Sequence, residues 1–156
     1  MIGVWRRWFG VLLAASVAMA LAGCGSDGLR EEREAREARI NVYPANYRAD
    51  LVAALHTYLS NPANIRDAYV GEPAINQIGQ QKRYVACVRF NARDSDGRYV
   101  GSKDILAIFV AGRFDQFIEP PVPAEQASQG GPPARVKELC DAAEYKRFQE
   151  LEAMKR

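Results

Sequence analysis

Two apolar runs separated by a turn signal constrain this chain more than anything else in it. From Arg83 to Asn91 the side chains alternate, with Tyr84, Ala86, Val88 and Phe90 on one side and Val85, Cys87 and Arg89 on the other. A period of two is the mark of a strand with two different faces. Asp94-Ser95-Asp96-Gly97 follows, and Asp-Gly supplies the positive φ angles that a tight hairpin needs. Tyr99 to Ala111 then resumes the extended pattern, with Gly101 and Ser102 predicting a bulge near its start. Ile105 to Ala111 is continuously apolar, which suits a central strand covered on both faces. Gly112-Arg113 predicts a second tight turn into a strand from Phe114 to Glu119. An earlier strand is expected from Ile65 to Glu72, limited by Pro73. The sum is an antiparallel meander of three to four strands.

Helical periods flank the meander. From Pro44 to Leu59, Tyr47, Leu51, Ala54, Leu55, Tyr58 and Leu59 recur on one face. Pro44 suits a first turn, and Ser60-Asn61-Pro62 ends the run. Residues 120–133 are rich in Pro, Gly, Gln and Ser and read as an exposed loop. Ala134 to about Glu144 forms a second helix, with Val136, Leu139, Cys140 and Ala143 on one side. Phe148, Leu151 and Met154 are out of phase with that set, so the helix is expected to break near Tyr145. The predicted fold class is α+β: helix, three- to four-stranded antiparallel meander, helix, with the helices packed on one sheet face. It forms a single domain over residues 43–156.

The N-terminal segment has the parts of an export signal. Arg6 and Arg7 precede an apolar run from Val11 to Ala22, broken only by Ser16. At about 1.5 Å per residue that run falls short of a hydrocarbon core of about 30 Å. Leu21-Ala22-Gly23-Cys24 closes it and resembles the lipobox of bacterial lipoproteins. The resemblance implies that residues 1–23 are removed, that Cys24 is lipidated and becomes the first residue, and that several acyl chains hold the protein on a membrane. Gly25, in place of Asp, favours the periplasmic face of the outer membrane, the inner membrane being the alternative. Arg6-Arg7-Trp8-Phe9 resembles part of a twin-arginine motif, but Trp5 stands where Ser or Thr belongs and no Lys follows. Ordinary unfolded export is the expected route.

Residues 24–42 read as a charged tether. Leu29 to Arg39 is rich in helix formers and carries Glu32–Arg36, Arg30–Glu34 and Arg33–Glu37 at four-residue spacing, with no apolar stripe to bury. Lys and Arg number 21 against 19 Asp and Glu. Loss of the signal removes Arg6 and Arg7 and no acid, so the mature side-chain charge is balanced. That balance and the compartment together exclude nucleic acid as a partner.

With Cys24 taken by lipid, Cys87 and Cys140 remain. In an oxidising compartment they can pair across the long intervening loop; otherwise each is a small buried hydrophobe. A bridge requires the second helix to pack on the strand that carries Cys87. The chain has one histidine, His56, on the flank of the first helix away from its apolar face. With no close cysteine spacing either, no metal site and no cofactor are expected. Asp94-Ser95-Asp96-Gly97 resembles part of a calcium loop, but Ala92 and Lys103 stand where ligands are required. Neither His56 nor Cys87 has a neighbour in sequence that would make it a base or a nucleophile. No phosphate loop, nucleophile elbow or zinc helix motif occurs. Arg66-Asp67, Arg89-Phe90-Asn91 and Asp115-Gln116 are the candidates for a polar binding cluster on an uncovered sheet face.

The run from Tyr43-Pro44 through Arg83-Tyr84-Val85-Ala86-Cys87-Val88-Arg89-Phe90-Asn91, Ser95-Asp96-Gly97-Arg98-Tyr99 and Gly101-Ser102-Lys103-Asp104 resembles a family of small alphaproteobacterial lipoproteins over most of residues 40–150. The resemblance carries no activity with it. The expectation is a lipid-anchored, periplasm-facing, non-catalytic binding or scaffold domain, partnered by the membrane and by an envelope protein. A small-ligand or lipid carrier and a periplasmic enzyme are the alternatives.

Overall fold

The computed structural model describes residues 24–120 and 132–155. The signal segment, the lipobox residues before Cys24 and most of the Pro/Gly-rich loop lie outside them. The chain divides into two units, Met1–Ala38 and Arg39–Arg156. In the first, α1 (Cys24–Ile40) carries the charged run, and residues 27–39 are all exposed. Arg30 and Glu34 pair on its surface at 3.0 Å. Without an apolar stripe the helix has nothing to bury, and its side chains stay in water.

In the second unit the mixed α+β fold has one six-stranded antiparallel sheet. β3 (Gln81–Asn91) is its spine. Strands β1 (Arg66–Gly71) and β2 (Ala74–Ile78) both pair antiparallel with it. Val70 faces Val88, Ala74 faces Val85 and Ile78 faces Gln81, so β1 and β2 run as one long path interrupted at Glu72-Pro73. A proline removes one ladder donor and bends the path; the strand then continues. Gly79, at φ +60°, helps turn β2 into β3. On the other side β4 (Lys103–Val110) pairs with β3 from Tyr84↔Phe109 to Phe90↔Lys103, and β5 (Arg113–Ile118) pairs with β4. The β4–β5 turn uses Ala111 at φ +51° and Gly112 at φ +77°. Beyond the described loop ends come α3 (Pro132–Asp141), β6 (Tyr145–Arg147) and the short α4 (Gln149–Glu152). β6 adds to the free side of β1. α2 (Tyr47–Tyr58) precedes the sheet.

Two apolar layers hold this together. On one face α2, through Tyr47, Leu51 and Leu55, meets Ala86, Val88 and Phe90 of β3 and Ile105, Ala107 and Phe109 of β4. Phe148 and Leu151 complete that layer. On the opposite face α3 sets Val136 and Cys140 against Val85, Cys87, Leu106 and Ile108. The continuous apolar run of β4 is thus explained: both of its faces are covered, and Ile105 to Phe109 are all buried.

The α+β class stands as read, and several details differ. The sheet has six strands, not three or four. β2 carries Asn76 and Gln77 in its middle, and β6 is too short to show a period. The helices lie on both faces, because Val85 and Cys87 point away from α2 and need a cover of their own. Finally, β4 begins at Lys103, since Gly101 at φ +97° breaks the extended path after the isolated bridge Arg93↔Tyr99. The break near Tyr145 is where β6 starts. α2 begins at Tyr47, with Pro44 just outside accepting the Tyr47 N–H at 3.0 Å.

Candidate functional site

The face under α3 is only partly covered. Its apolar layer on β3 and β4 reaches Cys87 and Leu106. By strand alternation Arg89 and Asn91 continue the same face, and Arg93 follows at the bridge to Tyr99. β1 joins them through a bulge. The register passes from Arg66↔Asn91 to Tyr69↔Arg89, which leaves one extra residue on β1. Asp67 takes a φ of +50° there, a conformation that Asp tolerates better than most residues. The extra residue turns Arg66 to the side of Asn91 and away from the core that holds Ala68 and Val70. The structure therefore brings Arg66, Arg89 and Asn91 onto one face, while Asp67 serves as the bulge. Asp115 and Gln116 do not join them. They sit on the edge strand β5, and Gln116 lines a groove on the α2 side.

Within this face two sub-clusters differ in character. In the first, Arg89 donates from Nε and Nη2 to the two carboxylate oxygens of Asp104, both at 2.8 Å. The Tyr145 hydroxyl donates to the same carboxylate at 3.0 Å, and the Arg89 guanidinium lies 4.5 Å from the Tyr145 ring centre. The Asp104 carboxylate holds the Arg89 guanidinium firmly charged. Burial, then the neighbouring Asp104 charge, pushes the Tyr145 phenol well above its ordinary value. This triad satisfies itself and ties β3, β4 and β6 together.

In the second, Tyr99 is a platform. Its hydroxyl donates to the carbonyl of Asn64 at 2.7 Å. Asn64 presents that carbonyl from a left-handed φ of +58°. The guanidinium carbons of Arg66 and Arg93 lie 4.3 Å and 4.8 Å from the centre of the Tyr99 ring. Asn91 accepts the Gly101 N–H at 3.1 Å and holds the approach to β4 beside them. Arg93 and Tyr99 were missed in sequence, although a signal existed. They stand symmetrically about the Asp94–Arg98 turn, where Asp94 N–H donates to the Arg98 carbonyl at 2.9 Å. Carrying the β3 alternation two residues further would have placed Arg93 on this face.

The sulfurs of Cys87 and Cys140 are 2.11 Å apart and bonded, with Cα atoms 5.4 Å apart. The bond joins β3 to α3 at the inner border of the polar face. His56 is exposed on α2. Among the described residues no group of three or more His, Cys, Asp or Glu is placed to hold a metal ion. A groove of about 590 Å³ runs between α2 and β5, floored by Phe114 and Phe117 and flanked by Tyr58. The Tyr58 and Phe117 rings are 5.0 Å apart, and the Tyr58 hydroxyl donates to Glu119. No helix of the described residues is long and apolar enough to cross a membrane. No family model, curated protein or solved structure matches the chain.

Proposed function

We propose that this is a lipid-anchored envelope lipoprotein, held through Cys24 on the periplasmic face of the outer membrane, whose domain is a non-catalytic binding or scaffold module. The contact surface is the sheet face beyond α3. The observation that carries the reading is the construction of that face: a β-bulge, an anchored tyrosine and the strand register bring Arg66, Asn91 and Arg93 together where the helix stops. Backbone irregularity that re-aims a side chain to an exposed surface is typical of functional edges. The disulfide suits an oxidising compartment, and the exposed charged helix after Cys24 suits a solvated tether.

Photo-crosslinking in intact cells from position 91 tests it. A specific envelope protein should be recovered from position 91 and not from position 49, an exposed site on α2. A consistently monomeric product from both positions overturns the binding reading. Replacing Cys24 with Ser should move the protein from the membrane to the soluble fraction; unchanged membrane retention overturns the lipid anchor. The groove between α2 and β5 favours a second reading, a carrier of a small apolar ligand. Native mass spectrometry of protein extracted from membranes would show a bound lipid in that case.

A further inference from the structure

We propose that Arg66 and Arg93, set on the ring of Tyr99, form a clamp for a carboxylate presented by the binding partner. The inference rests on the use of this sheet face as the contact surface and names the chemistry it recognises.

Two arginines elsewhere in the same molecule already close on carboxylates from an aromatic face. Arg89 stacks on Tyr145 and closes on the Asp104 carboxylate with two nitrogens. Arg48 stacks on Phe148, 4.9 Å from its ring centre, and closes on Glu150 with Nε and Nη2 at 2.8 Å and 2.7 Å. In both, an aromatic face orients the planar guanidinium and the fork meets a carboxylate edge-on. Arg66 and Arg93 repeat the first half of this arrangement on Tyr99. The second half is missing among the described residues: Asp67, on the bulge beside Arg66, makes no ion pair with it, and the other nearby acids are engaged elsewhere. Asp94 accepts the Arg98 N–H at 2.9 Å and lies 3.7 Å from its guanidinium. Asp96 pairs with Arg98 at 2.8 Å, and Asp104 belongs to Arg89 and Tyr145. Two like charges therefore share one ring with no ion-pair partner among the described residues. Like charges this close to one ring repel, and an anion that accepts from the outer nitrogens of both arginines removes that repulsion.

Accessibility and rigidity agree with this role. Arg66 is exposed and Arg93 half-buried. The Nε of Arg93 is enclosed without a hydrogen-bond partner, and its guanidinium lies against the Tyr99 ring. The ring beneath is pinned by its bond to Asn64. Preorganised donors lose little freedom when a ligand arrives.

The test uses the full chain in zwitterionic detergent micelles. Guanidinium N–H resonances are followed by NMR during titration with acetate, with inorganic phosphate and with chloride, all at one ionic strength. Arg66 and Arg93 should shift saturably with acetate, while Arg89, already closed on Asp104, stays in place. Arg66→Gln and Arg93→Gln should each weaken the response about tenfold, the loss of one charge-assisted partner, and the double variant should abolish it. Unchanged thermal unfolding keeps these readings interpretable, and Arg66→Gln serves alone if Arg93→Gln disturbs the turn. Equal shifts with chloride, or a response to phosphate without one to acetate, overturn the proposal. The titration reads the clamp on the purified protein, so its failure is separable from a failed crosslink in cells.

Discussion

Single positions show where the chain departs from easy backbone geometry. Ala111 occupies the left-handed region at φ +51° in the β4–β5 turn, where its amide donates to the Ile40 carbonyl at 2.7 Å. Two-residue hairpin turns with both φ angles positive favour Asn-Gly, and a Cβ there costs an ordinary L-residue about 1 kcal/mol. Ala111→Asn should therefore stabilise the domain by about 0.5–1 kcal/mol, read as a higher urea midpoint with an unchanged slope. A lower midpoint would mean that the close approach of Val42 and Tyr43, which leaves little room for a Cβ on Gly112, sets the geometry instead. The neighbouring Gly112 could be read as a turn residue from its type; that Ala111 shares the burden could not, since nothing in an alanine announces a positive φ. Arg66 was a candidate for the polar cluster by its residue type, but strand parity alone would not have put it there. Its own parity along β1 assigns it to the core side, and only the bulge at Asp67 turns it outward.

Elements are fastened to one another by a few bonds whose removal has calculable effects. The Cys87–Cys140 bond closes a loop of sequence separation 53 between β3 and α3. On the chain-entropy model such a loop is worth about 4 kcal/mol. Reduction, or a Cys87→Ala/Cys140→Ala pair, should lower stability by that order in denaturant unfolding and expose α3 first to hydrogen exchange. An unchanged midpoint on reduction would show that packing of Val136 alone holds the helix. α4 is fastened differently, by Arg48 of α2 to Glu150. The Arg48 guanidinium draws the Glu150 carboxyl down to about 2, and Glu72, Glu119 and Glu152 are also lowered by their hydrogen-bonded partners. A carboxyl with a depressed folded value stabilises the fold fully above its unfolded value and loses that contribution as pH falls through the folded one. Stability should thus decline from about pH 4.5 towards pH 2. Glu150→Gln should remove part of that slope and, with its side chain 53% exposed, cost only about 1 kcal/mol or less near neutral pH. Urea titrations at successive pH values check both; a slope identical in Glu150→Gln and the parent would reject the assignment. Of these fastenings, the cysteine pair was visible in sequence as two thiols left over. The α2–α4 contact was not, because Arg48 and Glu150 are 102 residues apart and a four-residue helix leaves no periodic trace.

The described residues comprise one unit with a core and one exposed helix without. Among the described residues the large buried side chains fall between Pro44 and Met154, and residues 27–39 are exposed throughout. A chain beginning at Arg39 should accordingly unfold cooperatively at the same temperature as the full-length protein, by calorimetry. A broad or lowered transition would mean that the preceding segment contributes to the fold. Period-two and helical patterns were enough to determine the α+β class, the central strand pair, the main turns and the break before Tyr145, because each is written in neighbours a few residues apart. The lipobox resemblance and the charged run likewise depend on local order alone. Tertiary structure decided the rest. Val85 and Cys87 required a second covering layer, so helices lie on both faces. β2 and β6 exist because β3 and β1 offered unpaired edges to short segments with weak patterns of their own. The polar face arose where α3 ends and a bulge reverses the parity of β1. Its Tyr99 platform joins residues from two loops and two strands, and a sequence cannot show which distant side chains a register will set side by side.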